Sequence, residues 1–452
     1  MVLVVVQRSL SSIKNTSTLR KPVFDLKGII ALQEQYRESI VRRLEQKKLD
    51  SLEYIIKNRP AELELANKIN GLRYERTKLG EVIRKEKTIA IQNKLKEIKE
   101  ELKSLEKKHT ALSDKIHEEA EVLPNLLDPT VPSDPHNQEV ISFINCSSED
   151  EATNRYPVNK FDNKDIAEKL KIVDFDVAAR ISGSSWYYLI GDGALLEQAL
   201  IQYGLSRARK RGYTLISPPS IVKSEIVNAC GFKPRDQNNE QQVYDISNSD
   251  LSLTGTAEIP LGAFLSSSTL PASQQFPIKY VGISRSYRAE AGARGRDTKG
   301  LYRVHEFTKI ELFHFTTRDR SSEELEELRR FQEDIIRDLG LCAKMSNMPT
   351  SDLGAPALKK YDCEAWMPGR GSWGELTSCS NCGEYQSRRL SIRVEGNDRK
   401  LNYAHTLNGT CLAIPRVIAA ILEQFYDPES NSVMIPEPLR PYMDGKVSIS
   451  VN

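Results

Sequence analysis

The residues from Arg288 to Glu311 read RAEAGARGRDTKGLYRVHEFTKIE, and their types are those that hold phosphates and planar rings. The pattern predicts a strand, a long loop and a returning strand. Gly292, Gly295 and Gly300 release the loop from ordinary backbone limits, while Arg294, Arg296, Lys299 and Arg303 give it a positive charge that a merely structural hairpin does not need. Such a loop suits a polyphosphate or a nucleic acid. On the first strand Arg288 presents a planar fork suited to phosphate or carboxylate, with Glu290 two residues on and projecting from the same face. Alternation on the return strand puts Phe307, Lys309 and Glu311 together, giving a ring as a floor for a planar base and a carboxylate for an amine or hydroxyl. Taken alone, the stretch also fits a plain hairpin with solvated charges.

Three other stretches carry groups of this kind. Thr256 and Glu258 stand two apart in the β-prone segment Leu253–Pro260, so alternation predicts a hydroxyl and a carboxylate on one face; capping of the next helix is the competing reading. Cys379 and Cys382 form C-x-x-C, but no second pair of ligands follows at tetrahedral spacing, so no structural zinc is expected and a redox pair is the remaining alternative. The run His405–Arg416 leads into an apolar helix from Val417. Pro415 and Arg416 near its first turn would put a guanidinium where phosphate oxygens also meet the helix dipole; a buried helix with a satisfied arginine is the plainer reading.

The set Arg288, Glu290, Gly292, Gly295-Arg296-Asp297, Gly300, Arg303, His305, Phe307 and Glu311 resembles motif 2 of class II aminoacyl-tRNA synthetases, in the version of the seryl-tRNA synthetases. Ala289 stands where that family usually has Ser, Tyr287 where Phe is usual and Glu306 where Gln is usual; none of these removes a charged contact. The helix Leu195–Lys210, with the strand that follows Gly212 and stops at Pro218 and Pro219, resembles motif 1, the dimer element. Leu253–Pro260 resembles the family's Thr-x-Glu element for the amino acid, and Glu375 and Ser378 match positions that face ATP and Mg²⁺, a hard cation that takes oxygen ligands. The run that ends at Arg416 resembles motif 3, although Cys411 and Pro415 depart from many members.

The resemblance implies an α+β fold, the class II antiparallel sheet flanked by helices, with an N-terminal antiparallel coiled-coil arm. It implies a serine-tRNA ligase that uses ATP and Mg²⁺, forms AMP and pyrophosphate, and acts as a homodimer on tRNA(Ser). Arg288 and Arg416 are the expected catalytic charge stabilisers. ATP contacts are expected from Arg288, Ala289, Glu290, Val304, Phe307, Glu375, Leu376, Thr377, Ser378 and Arg416, and Mg²⁺ ligands from Glu375 and Ser378. Serine contacts are expected from Thr256, Ala257, Glu258, Arg288, Glu311, Asn408 and Thr410. A class II enzyme of the same subgroup for another amino acid, and a non-catalytic RNA-binding paralogue, are the alternatives.

These groups need elements to position them. A chain of 452 residues can bury a large core and suits two or three domains. Its charge is nearly balanced at +2, so RNA would have to meet local basic patches rather than an overall field. Seven scattered cysteines argue for a reducing compartment, and no apolar run is long enough to span a bilayer, so no membrane partner is expected. Residues 1–23 are basic, rich in Ser and Thr and free of acids, which predicts a mitochondrial presequence and a matrix location. Residues 24–134 are expected to form a tRNA-binding domain, with short helices from Phe24 to Pro60 followed by a helical hairpin. Its seams are Leu65, Ile69, Leu72, Arg76, Leu79 and Ile83 in one helix and Leu95, Ile98, Leu102, Leu105, His109, Leu112 and Ile116 in the other, with a break near Lys85 to Thr88. Pro124, Pro129, Pro132 and Pro135 mark a linker, and 135–452 is expected to be the catalytic domain.

Overall fold

A computed structural model describes residues 19–84, 88–233, 241–290, 300–396 and 398–451. Most of the expected presequence, the middle of the expected arm turn, and the loop residues Gly292, Arg294, Gly295, Arg296, Asp297 and Lys299 lie outside these residues. The chain divides into two compact units, one from Val23 to Leu126 and one from Leu127 onward, which also takes in the described residues before Val23.

The first unit is helical. α1 (Leu26–Ala31) and α2 (Gln33–Arg42) are short, as the sequence predicts. The next helix departs from that reading: α3 runs unbroken from Lys47 to Ile83, with Pro60 inside it. An interior proline disfavours a helix by about 3 kcal/mol. Tertiary packing outweighs it, because Leu52 and Ile55, within about two turns of Pro60, are anchored in a core with Leu26, Ile29, Ile40, Ile116 and Ala120. Helix α4 (Ile89–Glu121) returns alongside, packing Ile98, Leu102 and Leu105 against Ile69, Leu65, Leu72 and Leu79. Cross-helix ion pairs fix an antiparallel register. Glu62 meets His109 at 3.0 Å, Lys68 meets Glu101 at 3.0 Å and Glu75 meets Lys94 at 3.8 Å, so partner numbers fall as the first numbers rise. Arg76, at a seam position, is exposed.

The second unit is built on an eight-stranded sheet. In chain order its strands are β1 (Glu139–Ile144), β2 (Thr214–Ile216), β3 (Ile278–Tyr287), β4 (Glu306–Thr316), β5 (Ala343–Asn347), β6 (Lys359–Met367), β7 (Ser372–Gly383) and β8 (His405–Ala413). Their order in space is β1-β5-β6-β7-β8-β4-β3-β2. All neighbours are antiparallel except β2, which pairs parallel with β3 at the edge. Residues of the proline-rich stretch belong to this unit: Asp128 N–H donates to Leu358 O at 3.0 Å, and Val131 packs with Met348 and Leu353.

Alternation on β4 decides what each face does. Ile310 and Leu312 enter a large core with α5 (Asp192–Lys210), α7 (Ser321–Asp338) and α9 (Ile414–Phe425). The opposite face carries Phe307, Lys309 and Glu311, then Phe313 and Phe315, which pack with Ile259 and Leu261 of α6 (Glu258–Ala263) and with Leu390, the last residue of α8 (Tyr385–Leu390). Helix α5 comes close to the sheet at Gly204, where a Cβ would lie 2.8 Å from Ile310 Cδ1 and 2.9 Å from Leu412 Cδ1.

The arm's two apolar clusters make a clean cut possible. Residues 63–108 hold the upper cluster, whereas the lower one is kept whole if Glu62 is joined to His109 by a short glycine turn. This excision is expected to leave the second unit's melting midpoint within about 2 °C of the intact chain in calorimetry. A larger fall would show that the upper hairpin supports the second unit.

Candidate active site

The strand ends and helix starts on the polar face of the sheet enclose a cleft of about 490 Å³ of empty space, part of it open to solvent. Its walls include Arg288, Glu290, Val304, Phe307, Glu375, Leu376, Ser378, Thr410 and Arg416, all expected above as contacts for ATP, Mg²⁺ or serine, together with Tyr302, Arg303, Lys309, Ala413 and Pro415, which carry no such expectation.

Arg288 follows directly on β3 and is pinned by its main chain. Its N–H donates to His305 O at 2.9 Å, and His305 stacks on Trp186 at 5.7 Å. The guanidinium lies 5.3 Å from the centre of the Phe307 ring, and Nε donates to Gly255 O at 3.4 Å. Glu290 accepts from Arg303 Nη1 at 3.0 Å. Burial and the nearby charge of Arg416 lower the Arg288 pKa.

Arg416 sits in the first turn of α9, where Pro415 removes an N–H that has no helical partner. Its Nη1 reaches both the main-chain oxygen and Oε1 of Glu375 at 3.2 Å, and its guanidinium lies 5.0 Å from the Tyr302 ring centre. Burial works against the Arg416 charge, but Glu375 and Tyr302 outweigh it and the pKa is raised. Enclosure likewise works to raise the Glu375 carboxyl, yet Arg416, Lys360, Arg288 and Lys309 hold it below the usual carboxylate range.

Glu375 and Ser378 are three apart, so a regular strand would send them to opposite faces. A bulge corrects the phase: Cys363 pairs with Thr377 and Glu364 with Glu375, which leaves Leu376 as the extra residue. Both oxygens therefore face the cleft, and a carboxylate with a hydroxyl is a donor set that fits Mg²⁺. The same bulge turns Thr377 toward Cys363, away from the cleft. β8 uses the device again. Thr410 pairs with Glu311 and Leu412 with Ile310, so Cys411 bulges and Thr410 and Ala413 both reach the cleft.

The remaining candidates lie deeper. Thr256 Oγ1 donates to Glu311 Oε2 at 3.3 Å, and Asn408 Nδ2 donates to Glu258 Oε1 at 2.9 Å. Lys309, on the cleft wall, joins this pocket to the cleft: its Nζ is 2.6 Å from Glu311 Oε2 and 3.2 Å from Thr256 Oγ1. Burial first, then the neighbouring Glu311, push Glu258 up to about 7 against the pull of Lys309, Gln386 and Arg288. Thr256 and Glu258 do not lie on a strand as alternation predicted. Glu258 opens α6 with Thr256 two residues before it, and the Glu258 N–H donates to Thr256 Oγ1 at 3.3 Å, so the hydroxyl meets the helix's first N–H as well as Glu311. Ala257 is fully buried, and Ala289 uses its N–H on Gln242 O at 3.1 Å; neither lines the cleft.

Several site residues were not singled out from sequence. Lys309 shares the face of Phe307 and Glu311, but spacing alone assigns it no contact. Tyr302, whose hydroxyl donates to Glu375 O at 3.2 Å, and Gln386, whose Nε2 donates to Glu258 Oε1 at 2.7 Å, had no periodic signal. Cys379 packs in the large core, and Cys382 accepts from Asn408 Nδ2 at 3.5 Å.

Residues 242–425 match the family model for the tRNA synthetase class II core domain (G, H, P, S and T). The chain is 45% identical to the mitochondrial serine–tRNA ligase of Saccharomyces cerevisiae over 97% of its own length and 99% of that protein. It is 41% identical to the mitochondrial serine–tRNA ligase of Schizosaccharomyces pombe over 78% of this chain and 73% of that one. The crystal structure of seryl-tRNA synthetase from Pyrococcus horikoshii complexed with ATP superposes with a TM-score of 0.88 at 32% identity, covering 95% of this chain and all of that one. A polar cleft at this place in a class II sheet, with sequence likeness along nearly the whole chain, has one conclusion: the chain belongs to the seryl-tRNA synthetase family.

Proposed function

We propose that the protein activates serine with ATP to seryl-adenylate and transfers serine to the 3′ end of tRNA(Ser) in mitochondrial translation. The observation that carries this reading is a chain of contacts: Lys309, on the wall of the cleft with Arg288, Arg416 and Phe307, bonds Glu311 and Thr256 of a buried polar cluster that Glu258 and Asn408 share. In the first step the serine carboxylate attacks the α-phosphorus of ATP in line and pyrophosphate leaves. A carboxylate needs no general base, so the protein's work is orientation and charge stabilisation. Arg288 and Arg416 stabilise the charge that develops on the phosphorus oxygens, and Phe307 floors the adenine. Glu375 and Ser378 would hold Mg²⁺, which when bound neutralises phosphate charge. In the second step a terminal ribose hydroxyl of tRNA attacks the mixed anhydride, and AMP leaves.

The pocket discriminates by hydrogen bonding. Serine differs from alanine by one hydroxyl, and a pocket of buried donors and acceptors disfavours the analogue that leaves them unpaired. Lys309 already sets an ammonium against Glu311 and Thr256, which supports a subsite for a substrate amino group there. A homodimer is supported by exposed apolar side chains: Leu215 on edge strand β2, and Ile181, Tyr188 and Ile190 around the small β-pair of residues 173–174 and 188–189. A mitochondrial location, and with it the matrix, is supported by the likeness to the two mitochondrial yeast ligases and by the basic, acid-free start of the chain. Among the described residues no helix is long and apolar enough to cross a membrane.

Serine-dependent exchange of pyrophosphate into ATP tests the activity, with threonine and proline as competing substrates. Arg288→Ala is expected to lower that exchange by roughly 10²- to 10³-fold while the chain keeps a two-subunit mass. Near-normal exchange would remove Arg288 from charge stabilisation.

The pocket should also respond to pH. Glu258 has a raised pKa, so it is neutral below about 7 and ionised above; a serine ammonium nearby favours the ionised form. Serine KM is therefore expected to fall as pH rises from 6 to 7, by up to about tenfold, and to level off toward 8 while ATP KM stays flat. Lys309, Arg288 and Glu311 are the charged groups that face Glu258, and Glu258→Gln should abolish the dependence. A dependence that persists in that variant would assign the titration elsewhere.

The chain lacking 63–108 should keep serine-dependent exchange and lose charging of tRNA. Its tRNA affinity should also show a shallower salt dependence, by about one unit of log–log slope per phosphate contact removed. Unchanged charging would make the hairpin structural only. For localisation, a reporter fused behind residues 1–30 is expected in mitochondria; a cytosolic reporter would refute the presequence.

A further inference from the structure

Antiparallel strands β7 and β8 pair from Gly383–Thr406 down to Cys379–Gly409, and there the ladder ends. The next residues along the two strands are Ser378 and Thr410. Their side chains line the cleft from its two halves, one assigned to nucleotide and one to serine. From the other side of the sheet, helix α7 reaches this point with Gln332, which is fully buried. Its Nε2 donates to Ser378 O at 2.7 Å and to Thr410 O at 2.9 Å. One amide thus takes up both carbonyls where the strands stop bonding to each other. Gln332 Oε1 has no partner among the described residues, and a flipped amide would set that oxygen against two carbonyl oxygens, so the donor orientation is fixed. Gly409 lies beside this point and leaves room for α7: a Cβ there would lie 3.3 Å from Leu328 Cδ2 and 3.3 Å from Cys379 Cβ.

We infer that Gln332 is a positioning residue that sets the separation of Ser378 from Thr410, and so the distance between the bound nucleotide and the bound amino acid. The inference rests on the proposed serine and ATP subsites. It follows from the donor count, because a primary amide carries two N–H groups and both are used here to hold a strand on either side. Strands held this way can neither close into a regular ladder nor drift apart. Either motion would shift the attacking carboxylate relative to the α-phosphorus while leaving the contacts within each half-site in place. A misplacement of about 1 Å between reacting groups lowers a rate by about 10²-fold.

Gln332→Met keeps length and approximate volume and removes both donors. In serine-dependent pyrophosphate exchange it is expected to lower kcat by roughly 10- to 100-fold with serine KM and ATP KM each changed less than about threefold. A merely structural glutamine would instead lower the melting temperature and leave kcat per folded molecule intact. Should Gln332→Met fail to fold, Gln332→Asn carries the test, since it keeps a primary amide and withdraws it by one methylene from both carbonyls; the same kcat-weighted loss is expected. A kcat within twofold of the unsubstituted chain in the folded variant, or a loss that falls on one substrate's KM alone, overturns the positioning role. A lack of serine-dependent exchange by the unsubstituted chain would instead overturn the proposed function, so the two failures are distinct.

Discussion

The second unit is governed by the need to fold a group of charges into one face of a sheet, most of them against an opposite charge. An ion withdrawn from water is disfavoured by several kcal/mol unless opposite charge and hydrogen bonds surround it. The chain meets this requirement in pairs: Arg416 with Glu375, Lys309 with Glu311, Arg303 with Glu290, and Lys360 with Asp362 at 2.7 Å in the adjoining strand. Burial and the neighbouring Glu375 push the Asp362 carboxyl upward even against its lysine, which shows how dense the charge is. No member of this set can be moved far without stranding its partner, and that rigidity is what a reaction run by orientation requires.

Two kinds of packing meet at the same strands. On one side, α5, α7 and α9 press Ile310, Leu312, Leu407 and Leu412 into a close-packed core; on the other, polar groups must project into a cleft. Strict alternation cannot supply enough cleft-facing residues at the places needed. A bulge at Leu376 and another at Cys411 each shift the phase by one residue, so that Glu375 with Ser378 and Thr410 with Ala413 come to one side. Bulges also weaken the ladder, and the buried amide of Gln332 takes up carbonyls that the ladder leaves free.

The first unit solves a different problem. A long hairpin has little core, so its stability is distributed along its length in small apolar clusters and ion pairs. Such an element resists change mainly near its base, where Leu52, Ile55, Ile116 and Ala120 pack with α1 and α2. Among the described residues, its upper part holds only the small cluster of Ile69, Ile98, Leu102 and Leu105 and its surface ion pairs.

The residues legible from sequence were those whose placement depends on a local period. Phe307, Lys309 and Glu311 alternate along β4 and share a face because a strand repeats every two residues. The arm seams, the helix ending at Lys210 and the position of Arg416 in the first turn of α9 follow equally from spacing. Where the outcome depended on a longer context, spacing misled or was silent. Pro60 suggested a helix end, but packing within about two turns kept α3 continuous. Thr256 and Glu258 read as strand residues, but the helix that buries Ile259 and Leu261 opens at Glu258. The sequence by itself determined which side chains were available and which face of each element they would take. Glu375 and Ser378 were paired by the family resemblance and not by spacing; only the tertiary structure decided that a bulge brings them to one face, that Lys309 bridges to Thr256, and that Gln332 reaches both Ser378 and Thr410, because bulges and contacts between distant segments arise from packing, which no local period encodes.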